Sequence, residues 1–327
     1  MADLSTEYMG LRLRNPFLVS SCSLTNTTEK VCKCANAGAG AVVLKSLFEE
    51  QIQSETADVE KHLWFFGHPE ALDYVRNMSM ELGPREYLNL IKDAKNAVSI
   101  PVIASLNCVT PEWWADYAMQ IEAAGADALE INIAVMPSDP DRSGAEIERL
   151  YLRILEEVRT RIEIPIAVKI DPYFTCTAHM ANELWKRGAS ALVLFNRLYH
   201  LDINIEKLEL ASGYSFSSPS EMNVSLRWIA LLAGRMGCDL AASTGIHDGE
   251  GVIKQLLAGA SVVQLCSTLF INGLKQISAI QEYVETWMEK HGFKSVDEIR
   301  GKLSQTHSDR PELYDRLQYV KALVGIE

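Results

Sequence analysis

The chain has 327 residues, 48% of them hydrophobic and 23% charged, a composition that excludes collagen-like, disordered and low-complexity classes. Lys+Arg 31 against Asp+Glu 43 leaves a net charge of −12, which repels phosphate backbones; with no local basic patch, a nucleic-acid partner is not expected. No apolar run reaches the ~18 residues of a membrane helix, and Met1 to Glu7 carries acids where a secretory leader needs positive charge, so the expectation is a cytoplasmic chain with no membrane partner.

In chain order, the first β-prone run is Asn15-Pro16-Phe17-Leu18-Val19-Ser20. A repeat follows. Ala37-Gly38-Ala39-Gly40 leads into Ala41-Val42-Val43-Leu44, and Ala124-Gly125-Ala126-Asp127 into Ala128-Leu129-Glu130-Ile131. Arg187-Gly188-Ala189-Ser190 precedes Ala191-Leu192-Val193-Leu194, and Ala258-Gly259-Ala260-Ser261 precedes Val262-Val263-Gln264-Leu265. Each is a helix end on Gly, which tolerates a left-handed cap, followed by a short β-prone run. Ile100-Pro101-Val102 and Ile164-Pro165-Ile166 start two further strands with Pro at an edge position, and Asp239 to Ser243 supplies the last.

Helical patterns separate these runs, for example Pro111 to Ala124, Gly144 to Arg161 and Gly249 to Ala258. Apolar strands alternating with helices predict a parallel sheet covered on both faces. Eight such units form an α/β fold of the (β/α)₈ TIM-barrel type; the structural alternative is a doubly wound open sheet. Nothing divides the chain, so residues 1–327 read as one domain. Two connections are long, 47–84 and 197–224, as lids, binding loops or an inserted hairpin would be. His291 to Glu327 reads as a charged helical tail.

The seven cysteines (Cys22, Cys32, Cys34, Cys108, Cys176, Cys238, Cys266) are odd in number and scattered. Cys32 and Cys34 lack a second Cys/His pair to complete a zinc site, so the set reads as free thiols in a reducing compartment, with no metal. In a barrel the active site lies where strands end. There the strands turn polar: Ser20-Ser21-Cys22, Lys45-Ser46, Ser105-Leu106-Asn107, Asn132, Lys169 with Asp171, Asn196-Arg197, Ser243-Thr244-Gly245 and Cys266-Ser267-Thr268. The last two turns follow the strands after which barrels commonly bind phosphate. Lys45 and Lys169 read as snorkelling or ion-paired lysines, as a Schiff-base nucleophile, or as fixed cations that stabilise an anion.

These residues resemble the dihydroorotate dehydrogenase family of FMN-dependent barrels. The likeness runs from about Met9 past Ser267 through Asn15-Pro16-Phe17, Lys45-Ser46, Asn77, Asn132, Val168-Lys169 with Pro172-Tyr173-Phe174, Asn196, Thr244-Gly245-Ile246 and Gln264-Leu265-Cys266-Ser267. It implies FMN held by Ser20, Ser21, Lys45, Ser46, Lys169, Asn196, Thr244, Gly245, Cys266 and Ser267, with the phosphate at the last four. It implies a planar dihydroorotate-like substrate bound by Lys45, Asn77, Asn132 and Asn196, oxidised by proton abstraction and hydride transfer. It also implies the soluble branch of the family, commonly homodimeric. The electron acceptor stays open among fumarate, NAD through a partner subunit, and oxygen.

The sequence departs from the family at its base. The family's Asn-x-Ser-(Cys or Ser)-Pro-Asn reads here Asn132-Ile133-Ala134-Val135-Met136-Pro137-Ser138, which places Val135 or Met136 at the base position. Neither takes a proton. Lys45 and Ser138, the latter in place of the second Asn, are the candidate catalytic side chains. Three readings follow: a dehydrogenase of dihydroorotate or a related cyclic amide, an FMN-binding barrel with lost or altered catalysis, and a Schiff-base aldolase-type barrel using Lys169.

Overall fold

Short apolar runs separated by amphipathic stretches leave each strand two faces to bury, and the chain meets that demand by curling its sheet shut. The computed structural model describes residues 2–48, 85–107, 111–133, 135–197, 200–213 and 216–314. A hairpin of β1 (Thr6–Tyr8) and β2 (Leu11–Leu13) comes first, then β3 (Phe17–Val19), α1 (Thr28–Asn36), β4 (Ala41–Val43) and a short β5 (Leu47–Phe48). From α2 (Arg85–Ala97) the order is β6 (Val102–Asn107), α3 (Pro111–Ala123), β7 (Ala128–Asn132), α4 (Gly144–Arg159), β8 (Ile166–Ile170), α5 (Thr177–Lys186) and β9 (Ala191–Leu194). A second hairpin, β10 (His200–Asn204) and β11 (Glu209–Gly213), precedes α6 (Met222–Leu232), β12 (Asp239–Ser243), α7 (Gly249–Ala258), β13 (Val262–Leu265), α8 (Ser267–Asn272), α9 (Lys275–Lys290) and α10 (Val296–Ile299).

Eight parallel strands pair in the ring β3-β4-β6-β7-β8-β9-β12-β13, and β13 pairs back onto β3 through Gln264 opposite Leu18. That last pairing closes a (β/α)₈ barrel and excludes the open sheet. Alternation sorts the side chains. Phe17, Val19, Val42, Leu129, Val168 and Val263 face the helices in one large core. Leu18, Ala41, Val43, Ile103, Ala128, Ala167, Ala191, Val193, Ala241 and Val262 fill the interior. Alanine dominates that inner layer because eight strands leave little room within the ring.

The helices lay apolar faces on the outer layer. In α4, Ile147, Leu150, Tyr151, Ile154, Leu155 and Val158 are buried at helical spacing, and Ser143 with Glu146 forms a capping box at its start. Burying each large side chain contributes about 1.5–3 kcal/mol.

Two features depart from the sequence-based expectation, and in a third place the structure takes one of the alternatives it left open, the inserted hairpin. The first hairpin, which the strand pattern did not reveal, closes the barrel floor: Tyr8, Met9 and Leu13 join the interior cluster, and Met9 N–H donates to Asp239 Oδ2 at 2.7 Å. The 197–224 connection contains β10 and β11. The described part of the tail is one turn of helix, α10, followed by the 3-10 turns Gln305–His307 and Pro311–Tyr314, so it is not the expected continuous helix. Its backbone is needed elsewhere. Gly301 N–H donates to Leu256 O at 2.9 Å and Leu303 N–H to Leu257 O at 2.8 Å, which pairs carbonyls at the end of α7.

Candidate active site

Each inward-facing position two residues beyond the apolar interior layer is the next level up the barrel. Ser20, Lys45, Ser105, Glu130, Lys169, Ser243 and Gln264 occupy it, so the same register that packs alanines below aims polar groups into the mouth. Lys169 is 7% exposed. Its Nζ donates to Gln264 Oε1 at 3.1 Å and to Ser20 Oγ at 3.5 Å, and lies 3.6 Å from Glu130 Oε1. Gln264 Nε2 donates to Glu130 Oε2 at 2.5 Å, and Ser20 Oγ to Gln264 Oε1 at 3.1 Å. A buried carboxylate under a buried ammonium fixes the cation in place. Three oxygen acceptors around Nζ suit a fixed cation better than a Schiff-base nucleophile, which needs a free lone pair.

A hydroxyl chain runs beside it. Ser21 Oγ lies 3.0 Å from Ser46 Oγ, and Ser46 Oγ lies 2.7 Å from Ser105 Oγ. Tyr87 on α2 anchors the chain, its hydroxyl donating to Ser105 O at 3.0 Å and accepting from Ser105 N–H at 2.7 Å.

On the opposite wall, Thr244 and Gly245 both have positive φ (73° and 76°). Gly245 is required there: a Cβ would stand 2.3 Å from Met222 N at the start of α6. Gly245 N–H donates to Ser217 Oγ at 3.3 Å, Ser217 N–H donates to Ser267 Oγ at 3.1 Å, and Thr244 Oγ1 donates to Phe195 O at 3.2 Å. Arg197 Nε donates to Glu221 Oε2 at 2.8 Å. Burial pushes the Glu221 carboxyl up, but Arg197 and the Ser218 N–H outweigh it and hold it below its ordinary value.

Ser20, Ser21, Lys169, Asn196, Thr244, Gly245, Cys266 and Ser267 line one cavity, together with Arg197, Gln264 and Ser243. The lining contains two cations and no carboxylate. A wall of that charge suits an anion, and it stands out in a protein whose net charge is −12.

The remaining candidates lie outside that lining. Lys45 is half-buried at the end of β4, and Ser46 reaches the cavity edge through Ser21. Asn132 stands opposite Lys169 in the β7–β8 register with its Oδ1 buried and unpaired. Ser138 is exposed on the loop after β7, where its N–H donates to Met136 O at 2.9 Å. Asn77 lies outside the described residues.

One group, Glu130, escapes the sequence reading, and another, Asp171, enters it as a polar strand end without a role. Glu130 sits where the Ala128-Leu129-Glu130-Ile131 run should be apolar on both faces, and that mismatch was the available signal. Asp171, 3% exposed, has neither carboxylate oxygen fully hydrogen-bonded. Burial pushes its carboxyl up to about 6, while Asn196, Tyr151 and the Lys169 charge pull the other way.

The family model for dihydroorotate dehydrogenase matches residues 75–288, more than half of the chain. The chain belongs to the dihydroorotate dehydrogenase family. The catalytic subunit of dihydroorotate dehydrogenase B (NAD(+)) from Thermoplasma acidophilum is 26% identical over 311 residues, covering 92% of this chain and 99% of that protein. The subunits of the same name from Methanothermobacter thermautotrophicus and Pyrococcus furiosus are each 25% identical, over 91% of this chain and 97% and 98% of their own lengths. The matched segment of the family includes Glu130, Lys169, Gln264 and the Thr244–Gly245 turn, while Ser20 and Ser21 of the same cavity lie before it.

Proposed function

We propose that the chain is an FMN-dependent oxidoreductase that converts dihydroorotate, or a related cyclic amide, to its unsaturated form. The observation that carries this reading is the carboxylate-free cavity with Lys169 fixed at its floor. Its donor set fits a flavin mononucleotide: hydroxyls and a cation along one wall, and at the other the positive-φ Thr244–Gly245 turn with Ser267 beside it. When bound, the flavin accepts a hydride from the substrate.

Lys169, held by Glu130 and Gln264, is proposed to meet the electron-rich edge of the ring with positive charge that needs no reorganisation. Ser20, Ser21, Ser46 and Lys45 are proposed to bind from the first two barrel strands, and Thr244, Gly245, Cys266 and Ser267 to hold the phosphate. Asn77, Asn132, Asn196 and Lys45 are proposed to orient the substrate, with Lys45 and Ser138 as the groups that handle the proton. A homodimer is proposed as well, supported by the exposed Ile203, Ile205, Leu208 and Leu210 on the second hairpin. Among the described residues no helix is long and apolar enough to cross a membrane.

One observation favours a second reading, an FMN-binding barrel without turnover. Val135 and Met136 take the place of a base, and Ser138 is exposed. Anaerobic addition of dihydroorotate to the purified protein separates the two. A bound flavin that bleaches supports the dehydrogenase; a yellow protein that stays yellow supports the second reading; a colourless protein that takes up no added FMN refutes both.

A further inference from the structure

Ser217 follows the second hairpin, is 6% exposed, and lines the cavity beside Thr244, Gly245 and Ser267. Its hydroxyl oxygen accepts the Gly245 N–H at 3.3 Å and lies 3.2 Å from His247 Nε2. His247 is half-buried and is not part of the lining, so it meets the cavity through the serine. Its backbone is fixed from the last barrel unit: the His247 carbonyl accepts from Thr268 Oγ1 and from Gln276 Nε2, each at 2.9 Å.

We propose that Ser217 is an anion-binding residue of the cavity and that His247 is its positioning residue, the pair presenting one hydroxyl proton to a phosphate monoester. That the monoester is the phosphate of FMN rests on the flavin reading above; the anion-binding role does not.

A hydroxyl has one proton and two lone pairs. The Gly245 N–H occupies one lone pair of Ser217 Oγ. An imidazole with its proton on Nε2 occupies the other, which leaves the serine proton only the cavity to point into. In the opposite tautomer the serine would donate to His247, and its proton would turn away from a wall that carries Lys169 and Arg197 and no carboxylate. An anion on that wall selects the first arrangement, because a hydrogen bond to a charged oxygen is stronger than one to a neutral ring nitrogen. The Gly245 N–H, aimed at Ser217, then reaches the anion through the hydroxyl, in a chain whose bonds polarise one another. Ser267 repeats the pattern: its Oγ accepts the Ser217 N–H at 3.1 Å and lines the same cavity. Two backbone donors thus support two hydroxyls side by side, and the imidazole sets the direction of the first.

The test titrates the full chain with FMN, with riboflavin, which lacks the phosphate, and with inorganic phosphate alone, using flavin fluorescence and calorimetry. Ser217→Ala should weaken FMN and inorganic phosphate by about tenfold to a hundredfold, the range for a hydrogen bond to a charged group, and leave riboflavin unchanged. His247→Leu should weaken FMN by about fivefold, the range for a neutral hydrogen bond. His247→Gln, whose Nε2–H can donate to the same oxygen, should restore most of that loss. A Ser217→Ala protein that binds FMN and phosphate like wild type, or loses riboflavin and FMN alike, overturns the anion-binding role. His247→Gln as weak as His247→Leu overturns the imidazole as the orienting donor. A wild-type protein that takes up phosphate but no FMN refutes the flavin reading alone, and the response of phosphate affinity to Ser217→Ala then decides the proposal. Uptake of neither overturns both.

Discussion

Asp171→Asn should stabilise the protein at pH 8 and barely change it at pH 4. The carboxyl stands just past the end of β8, 3% exposed, without a full hydrogen bond to either oxygen, and its pKa rises from 3.8 to about 6. A carboxyl with a raised native pKa binds more protons folded than unfolded between those two values. Stability therefore falls as pH climbs from about 4 to about 6 and is flat beyond. The rise from 3.8 to about 6 corresponds to about 3 kcal/mol of penalty for holding the charged form in the fold. Solvent at the barrel mouth screens part of it, which leaves on the order of 2 kcal/mol. Asparagine has the acid's shape and stays neutral at every pH, so the variant should escape the penalty. Urea unfolding of both proteins, followed by tryptophan fluorescence at pH 4, 5, 6 and 8, reads the difference; subtracting one profile from the other cancels every other titrating group. A difference that does not change between pH 4 and pH 8, or a variant weaker than wild type at pH 8, would refute the argument from burial.

Lys169→Met should cost about 3–5 kcal/mol in urea unfolding because Glu130, 1% exposed, loses its cation, and adding Glu130→Gln should restore more than half of that. Losses that simply add in the double variant would show the two are not coupled. Gly245→Ala should lower the thermal midpoint and weaken flavin retention: its backbone has φ +76°, and strain of this kind costs about 1–3 kcal/mol before the clash with Met222 is relieved. An unshifted midpoint would remove the close approach from the account. Ile205→Lys combined with Leu208→Lys should convert a dimer to a monomer in sedimentation velocity without changing the unfolding midpoint; a monomeric wild type would end the homodimer proposal.

The barrel was legible because its repeat is local. A Gly-terminated helix and the apolar run after it are neighbours in sequence, and four copies of that unit announce themselves without any long-range information. The polar strand ends were legible for the same reason, since each lies one or two residues past a recognisable run. The first hairpin was not, because Thr6 to Leu13 carries no apolar alternation longer than three residues; its burial depends on the floor of a ring that exists only after the last strand arrives. In the described part of the tail the helical reading holds only for single turns, for a related reason. Gly292 and Gly301, both at positive φ, break the helix, and what orders the segment is the end of α7, more than forty residues earlier.

The same distinction explains why Glu130 was missed. Asn132, Lys169 and Ser20 stand out at strand termini, where polarity is easily read as function. Glu130 lies inside an apolar strand, and only the inward parity set by Ala128 shows that it must face Lys169 and Gln264 rather than a helix. Parity along one strand is local, but its consequence depends on which strands stand across the ring. Ring closure brings Gln264 on the last strand beside Ser20 just past the first, a separation of 244 residues. The site is therefore strongest where it draws on both ends of the chain. A variant that loosens the β13–β3 seam should therefore disturb the lysine network from its Ser20 and Gln264 sides together.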